Sequence, residues 1–138
     1  MILFDTSVII DARDKDSPWH EWAKEKIASA VSGEGAAVNT VVVAEASVRA
    51  LDRDAVPALL GAFGMTLVDL PVSAAVPAAK AYALYLDRRK AQGQALGDKT
   101  PLPDFLIGAH AQAESLTLVT RDPGRVQTYF PKVQLVTP

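Results

Sequence analysis

Four carboxylates stand where this sequence could most readily do chemistry. Asp5 and Asp122 follow the first and fourth predicted strands. Asp104 opens a predicted helix, and Glu45 lies one turn into the helix after the second strand. In parallel α/β sheets, ligands bind at the carboxyl ends of the strands, near the point where the strand order reverses. We therefore expect these four acids to share one crevice.

A structural explanation competes with the chemical one for three of them, because Asp is a favoured helix cap and is stabilised by the helix N-terminus. Asp122 and Pro123 resemble a cap followed by proline at the first helical position, and Pro103 and Asp104 suit a first helical turn. Glu45 lies beside the apolar stripe of its helix. A buried, unpaired charge costs several kcal/mol, so this carboxylate needs a cation, hydrogen-bond donors or water, unless it extends to solvent at the helix end.

Converging carboxylates repel one another, and a divalent cation reverses that balance. The chain has no cysteine. With oxygen ligands only, Mg²⁺ or Mn²⁺ suits the site better than zinc, and four carboxylates could hold one or two ions. Such sites typically hydrolyse phosphodiesters, because the metal lowers the pKa of a bound water and polarises the phosphoryl oxygen.

The composition describes one soluble domain, residues 1–138, with enough apolar chain for a core, since 49% of the residues are hydrophobic and 22% charged. The absence of cysteine excludes a disulfide framework and a cysteine nucleophile, and it suits the cytoplasm. No apolar stretch reaches the roughly 20 residues that span a bilayer, and the first residues do not form a signal peptide. The net charge of −2 gives no overall attraction for polyanions, so nucleic acid needs a local patch or metal ions.

Short apolar runs alternate with helical patterns along the chain. Strands are predicted at Ile2–Phe4, Ala36–Asn39, Thr66–Asp69, Leu116–Val119 and Val133–Val136. Helices are predicted from about Val8, from Ser17-Pro18 to Gly33, from a Thr40 cap to Leu51, from Ala55 to Phe63, from a Ser73 cap to Ala91, from Asp104 to Glu114 and after Gly124. Because parallel strands need crossover connections, and these are helical here, we expect a three-layer α/β/α domain with a mainly parallel central sheet of four to five strands.

Four segments carry a resemblance to a known family: ILFDTSVIID, NTVVVAEA, PLPDFLIGAHA and LTLVTRDPGRVQTYFP. Over nearly its full length the chain resembles PIN-domain ribonucleases, and within them the VapC toxins of bacterial and archaeal toxin–antitoxin pairs. The resemblance implies metal-binding roles for the four acids, assisted by hydroxyls, namely those of Thr6, Ser7 and Thr120. The chain departs from the family where NTVVVAEA replaces a more usual serine-containing stretch, and where Glu114 and Ser115 stand at a place often held by glycine.

The same resemblance implies an activity and partners. It implies a Mg²⁺-dependent endoribonuclease that cuts a structured RNA such as a tRNA and usually forms a homodimer. A small VapB-like antitoxin is expected to block the site and to anchor the complex on promoter DNA, with no role for a membrane. A non-catalytic PIN-like module that binds RNA or protein is the alternative. A phospho-acceptor receiver is less suitable, because that chemistry needs a lysine at the last strand end, where this chain has Asp122.

Basic residues near the acids are candidates for phosphate contacts. Arg121 and Arg125 flank Asp122 and could bind phosphate through bidentate hydrogen bonds. Arg13 is a weaker candidate. The remaining basic groups and the two histidines are interpreted as surface or structural residues. Asp98, in the polar segment Gln92–Pro103, could approach the site from a loop.

Overall fold

The central sheet has five strands, all parallel, in a computed structural model that describes residues 1–94 and 101–138. The strands are β1 (Ile2–Phe4), β2 (Ala36–Asn39), β3 (Met65–Val68), β4 (Thr117–Val119) and β5 (Leu135–Val136). Their order across the sheet is β3-β2-β1-β4-β5. Much of the sheet is buried on both faces, as parallel sheets between helices generally are.

Seven α-helices are formed by the described residues. They are α1 (Thr6–Arg13), α2 (His20–Ser32), α3 (Thr40–Val48), α4 (Val56–Ala62), α5 (Ala75–Ala91), α6 (Leu102–Ala113) and α7 (Gly124–Tyr129). Helices α1 to α4 pack among themselves, as do α5 to α7. Right-handed crossovers place these two groups on opposite faces of the sheet, which gives the expected α/β/α arrangement. None of the described helices is long and apolar enough to cross a membrane.

The chain order reverses beside β1. Strands β2 and β3 extend the sheet on one side of β1, and the chain then returns to build β4 and β5 on the other side. Phe4 pairs with Val119, and the N–H of Asp5 donates to the carbonyl of Val119 at 3.0 Å. The residues that follow β1 and β4 therefore emerge side by side, at the topological switch point where ligands bind in such sheets.

The start of α3 differs from the prediction that Thr40 caps it. Asn39 is the cap, because its side-chain oxygen accepts from the N–H of Val42 at 3.0 Å. The Thr40 hydroxyl instead accepts from the N–H of Leu70. The Asn39 amide also lies 3.1 Å from Nδ1 of His110 in α6, and both side chains are fully buried. One buried amide thus connects the two helices that carry Glu45 and Asp104.

The prediction that Ser73 caps α5 is also wrong. A 3-10 turn, Val72–Ala74, leads into the helix, and no side chain caps it. Similarly, α2 begins at His20, because the Ser17 hydroxyl accepts from the N–H of Trp19 in the preceding turn. In both places a local turn forms first, and the helix starts two or three residues later.

The C-terminus of α6 explains the departure from the family at Ser115. Ser115 has φ +53°, a conformation that favours glycine. Its N–H donates to the carbonyl of Gln112, and the N–H of Leu116 donates to the carbonyl of Ala111. These two hydrogen bonds are those of a Schellman motif, in which the residue at this position is usually glycine.

Helix α6 also has a close contact with the segment that ends α7. A Cβ added at Gly108 would lie 2.7 Å from a ring carbon of Phe130. Phe130 is almost completely buried. The glycine therefore lets the end of α7 approach α6, and these two helices carry Arg125 and Asp104.

Candidate active site

Asp5 is the most extensively hydrogen-bonded of the four predicted acids. It caps α1, since its Oδ1 accepts from the N–H of Thr6 at 2.7 Å. Its Oδ2 accepts from the hydroxyl of Thr120 at 2.7 Å and from that of Ser7 at 3.3 Å. The capping and chemical interpretations thus both apply to this residue. One oxygen caps the helix and the other is held by hydroxyl groups.

The surroundings of Asp5 disfavour its charged form. Burial raises the pKa of Asp5 from its ordinary value of 3.8 to about 6, and the negative charges of Asp104 and Glu45 act in the same direction. The hydrogen bonds from Thr120 and Thr6 oppose this rise. A nearby cation would reverse the balance, because it favours the ionised carboxylate.

Asp104 lies in the first turn of α6 and is paired with an arginine. Its Oδ2 accepts from Nη1 of Arg125 at 2.6 Å, and the two side chains are 40% and 45% exposed. Burial raises the pKa of Asp104 above its ordinary value, and the negative charge of Asp122 acts in the same direction. The positive charge of Arg125 and its hydrogen bond oppose that rise.

Three of the acids border one cavity of about 240 Å³. Its lining residues are Asp5, Ser7, Asp104, Ile107, Leu118, Asp122, Arg125 and Val126. The N–H of Asp122 donates to the Thr120 hydroxyl at 3.1 Å, so this hydroxyl connects the turn after β4 to Asp5. The prediction that Asp122 caps α7 is wrong, because Pro123 occupies the cap position and no side chain caps the helix.

Glu45 borders a second, larger groove next to this cavity. Its Oε1 accepts from the Thr6 hydroxyl at 2.6 Å. The groove has a volume of about 600 Å³ and is lined by Thr6, Ile10, Arg13, Asp14, Glu45, Ala46, Val48 and Arg49. Thr6 follows Asp5 directly, so the two openings are adjacent in the chain. The structure thus brings three of the four acids to one cavity and places Glu45 beside it, with its charge still acting on Asp5.

The donor chemistry suits a hard divalent cation, although the side chains do not form a closed ligand cluster. Among residues 1–94 and 101–138, no three His, Cys, Asp or Glu side chains lie close enough together to hold a metal ion. The acids that border the cavity offer only carboxylate oxygens, and the pKa of Asp5 and that of Asp104 are raised. Arg125 supplies the positive charge that a cation would otherwise bring. Asp98 lies outside the described residues.

The predicted phosphate-binding arginines have different environments. Arg125 borders the cavity. Nη1 of Arg13 donates to the carbonyl of Ala46 at 3.3 Å, beside the groove that Glu45 lines. Nε of Arg121 lies 3.1 Å from Oδ2 of Asp11, but these atoms lack hydrogen-bond geometry, so the contact is an ion pair. Arg121 is therefore directed at α1.

Asp11 is a residue that sequence reasoning missed. Its side chain is only 5% exposed, and Oδ1 accepts from the Ser17 hydroxyl at 2.9 Å. The signal was present in the sequence, because Asp11 lies three residues after the apolar Val8, on the buried side of the helix. A carboxylate at such a position needs a partner, and Arg121 is that partner.

The fold and the cavity together define an α/β domain with an acidic opening at the switch point of a parallel sheet. The model of the PIN domain family matches residues 2–131, and the chain belongs to this family. A comparison with curated proteins found no match.

Solved structures with the same fold include proteins from three bacteria. VapBC2 from Rickettsia felis, bound to a DNA fragment from its promoter, has 20% identity and a TM-score of 0.63, covering 99% of this chain and 98% of that one. FitAcB from Neisseria gonorrhoeae has 24% identity and a TM-score of 0.61, covering 100% and 98%. A toxin–antitoxin complex from Klebsiella pneumoniae has 22% identity and a TM-score of 0.60, also covering 100% and 98%. At these identities the likeness shows the fold.

Proposed function

We propose that this chain is a Mg²⁺-dependent endoribonuclease and the toxin of a VapBC-type toxin–antitoxin pair. PIN domains are generally nucleases. The observation that carries the proposal is the cavity at the carboxyl ends of β1 and β4, which Asp5, Asp104 and Asp122 border together. The raised pKa of Asp5 supports a cation there, because a buried carboxylate facing other acids needs one to stay ionised.

In this proposal Asp5, Glu45, Asp104 and Asp122 hold Mg²⁺, or Mn²⁺ in its place. The bound metal lowers the pKa of a water and polarises the phosphoryl oxygen. The hydroxyls of three neighbouring residues orient the carboxylates: Thr120 and Ser7 donate to Asp5, and Thr6 donates to Glu45. These hydrogen bonds fix the ligands before substrate arrives.

Arginines supply the contacts to the RNA backbone. Arg125 leaves Asp104 and donates to a phosphate oxygen, since guanidinium groups bind phosphate and carboxylate with the same geometry. Arg13 is the corresponding residue in the groove beside Glu45. Arg121, held by Asp11, has the smallest role, because its charge is already paired.

A structured RNA such as a tRNA is the proposed substrate, and a VapB-like antitoxin is the proposed partner. The structural neighbours support this partner, since they include VapBC2 bound to promoter DNA and a toxin–antitoxin complex. DNA then binds only through the antitoxin. The toxin is expected to be a homodimer.

Cleavage of tRNA tests the catalytic proposal. The purified chain is incubated with total tRNA, with Mg²⁺ or with EDTA, beside Asp104→Asn and the control Glu25→Gln, which removes an exposed carboxylate from α2. We expect Mg²⁺-dependent cleavage by the parent chain and the control, and none by Asp104→Asn. Absence of cleavage, or equal cleavage by Asp104→Asn, would contradict the proposal. RNA binding without cleavage would instead identify a non-catalytic PIN module.

Growth of a bacterial host tests the toxin assignment separately. Induced expression of the parent chain is expected to arrest growth, whereas Asp104→Asn expressed to the same level is not. Arrest by both proteins would show that toxicity does not depend on the acids. Normal growth with an active nuclease would separate the enzyme from the toxin role.

A further inference from the structure

A row of arginines and tyrosines lies next to the cavity, at the C-terminal end of α5. Two tyrosines, Tyr85 in α5 and Tyr129 in α7, are half-buried. Both pack against the fully buried Phe105, with ring centroids 5.4 Å and 5.2 Å from its own. The two tyrosines therefore form the outer edge of an aromatic cluster whose centre is fixed in the core.

Three guanidinium groups lie against these two rings. Arg88 lies 5.2 Å from the centroid of Tyr129, so it connects α5 with α7. Arg89 and Arg125 each lie 5.6 Å from the centroid of Tyr85. These are the distances of cation–π contacts. The planar groups are held in place by their faces, which leaves N–H donors at their edges for other partners. We call these five residues the arginine–tyrosine surface.

Arg125 makes this surface continuous with the cavity. It pairs with Asp104 and borders the same cavity as Asp5. Because Arg89 contacts the same ring as Arg125, the two guanidinium groups cannot lie farther apart than twice the distance from either to that ring. A phosphate chain passing through the cavity therefore meets a second fixed arginine directly beyond Arg125.

The charge of the surface contrasts with that of the whole chain. The last turn of α5 carries three consecutive cations, Arg88, Arg89 and Lys90, while the chain as a whole has a net charge of −2. In the ion pairs formed among residues 1–94 and 101–138, Arg88 has no carboxylate partner. Such a local concentration of guanidinium groups beside aromatic rings is typical of surfaces that bind single-stranded nucleic acid.

We propose that the arginine–tyrosine surface binds the single-stranded RNA that leaves the cavity on one side of the cleaved bond. This inference rests on the proposed function for its ligand. Arg88 and Arg89 contact phosphates, and the edges of Tyr85 and Tyr129 lie beside the bases. The surface positions the strand and takes no part in cleavage itself.

Fluorescence anisotropy with a labelled single-stranded RNA of about 12 nucleotides tests the proposal. It is done in EDTA, so that metal does not contribute, with a gel to check that the RNA stays intact. Arg88→Gln/Arg89→Gln is expected to bind about tenfold more weakly, and its salt dependence to lose roughly 0.7 per phosphate contact. The control Lys24→Gln/Lys26→Gln removes the same charge from α2 and should change the affinity less than twofold.

The variant Arg88→Lys/Arg89→Lys separates the surface from simple charge. It keeps both charges but loses the planar groups, so we expect the parent's salt dependence with weaker binding. Melting temperatures of all variants show whether the arginines only tether α5 to α7. The proposal is overturned if the glutamine pair binds RNA as tightly as the parent, if it loses no more affinity than the α2 control, or if the parent does not bind RNA. Cleavage of tRNA is scored separately, so a parent that binds through this surface without cutting contradicts only the nuclease function.

Discussion

Nη1 of Arg125 lies 2.6 Å from Oδ2 of Asp104, across the boundary between α7 and α6. The pair puts a positive charge at the position where the proposed metal site needs one. Arg125 also contacts the ring of Tyr85, so its side chain has a second resting place when it leaves the carboxylate. Metal binding and arginine pairing should therefore compete for Asp104.

Removing the arginine tests this competition. Arg125→Gln is expected to raise the affinity for Mn²⁺ about three- to fivefold, since an exposed pair contributes up to about 1 kcal/mol. Isothermal titration calorimetry measures it. The control is Arg53→Gln, because Arg53 donates to the carbonyl of Val48 on the surface and its removal changes the net charge equally. Unchanged or weaker Mn²⁺ binding by Arg125→Gln would show that the pair does not compete.

The raised pKa of Asp5 predicts how stability depends on pH without metal. Between its ordinary value of 3.8 and about 6, the folded state holds the Asp5 proton more tightly than the unfolded state does. The free energy of unfolding therefore falls as the pH rises through this range, and the loss is complete above about pH 6. Asp5→Asn should remove the loss, because an asparagine oxygen can still accept from the N–H of Thr6.

The expected effect of Asp5→Asn is a gain of roughly 2 kcal/mol at pH 7.5, which shrinks towards zero near pH 4. Urea unfolding in EDTA at both pH values measures it, with Glu25→Gln as the control. The same variant should lose Mn²⁺ binding if Asp5 is a ligand. A gain that does not depend on pH would mean that the charge of Asp5 is not its cause.

The buried Asn39 gives a prediction about the connection between α3 and α6. Asn39→Ala is expected to cost roughly 2 to 4 kcal/mol, because it removes the cap of α3 and leaves Nδ1 of His110 without its partner. Thr40→Ala should cost less than about 1 kcal/mol, since its hydroxyl accepts only an exposed hydrogen bond from Leu70. Chemical denaturation compares the two variants. Equal losses would restore Thr40 as the cap.

Ser115 offers a stabilising substitution. Ser115→Gly is expected to add about 1 kcal/mol to the free energy of unfolding, because glycine adopts φ +53° without steric cost. Ser115→Ala keeps the cost and should bring no gain. Thermal and urea unfolding measure both variants. A destabilised glycine variant would show that the backbone of the Schellman motif is not strained at this residue.

The sequence predicts the sheet well, because each strand is a short apolar run that ends at a polar residue. The limits of β1 and β2 are those predicted, and the switch point follows once the strand order is known. Local choices were less predictable. Asn39 and Thr40 are both good caps, and only the position of His110, which is 71 residues from Asn39 in the chain, favours the asparagine.

The candidate site was predictable in its acids but not in its pairing. Three carboxylates follow from their positions at strand and helix ends. The partners of Asp104 and Asp11 do not follow, because Arg125 and Arg121 reach them through the packing of α7 and the turn after β4. Neither distance is fixed by spacing along the chain, so the division between a cavity and a separate groove for Glu45 appears only in three dimensions.

Gly108 gives the cavity a dependence on packing that no charged residue reveals. The ring of Phe130 occupies the space that a methyl group at position 108 would fill. A larger residue there would move the end of α7 outward and carry Arg125 away from Asp104. Substitutions at this uncharged position would then alter the charge balance of the cavity, so related chains could tune their metal affinity with every acid and every arginine unchanged.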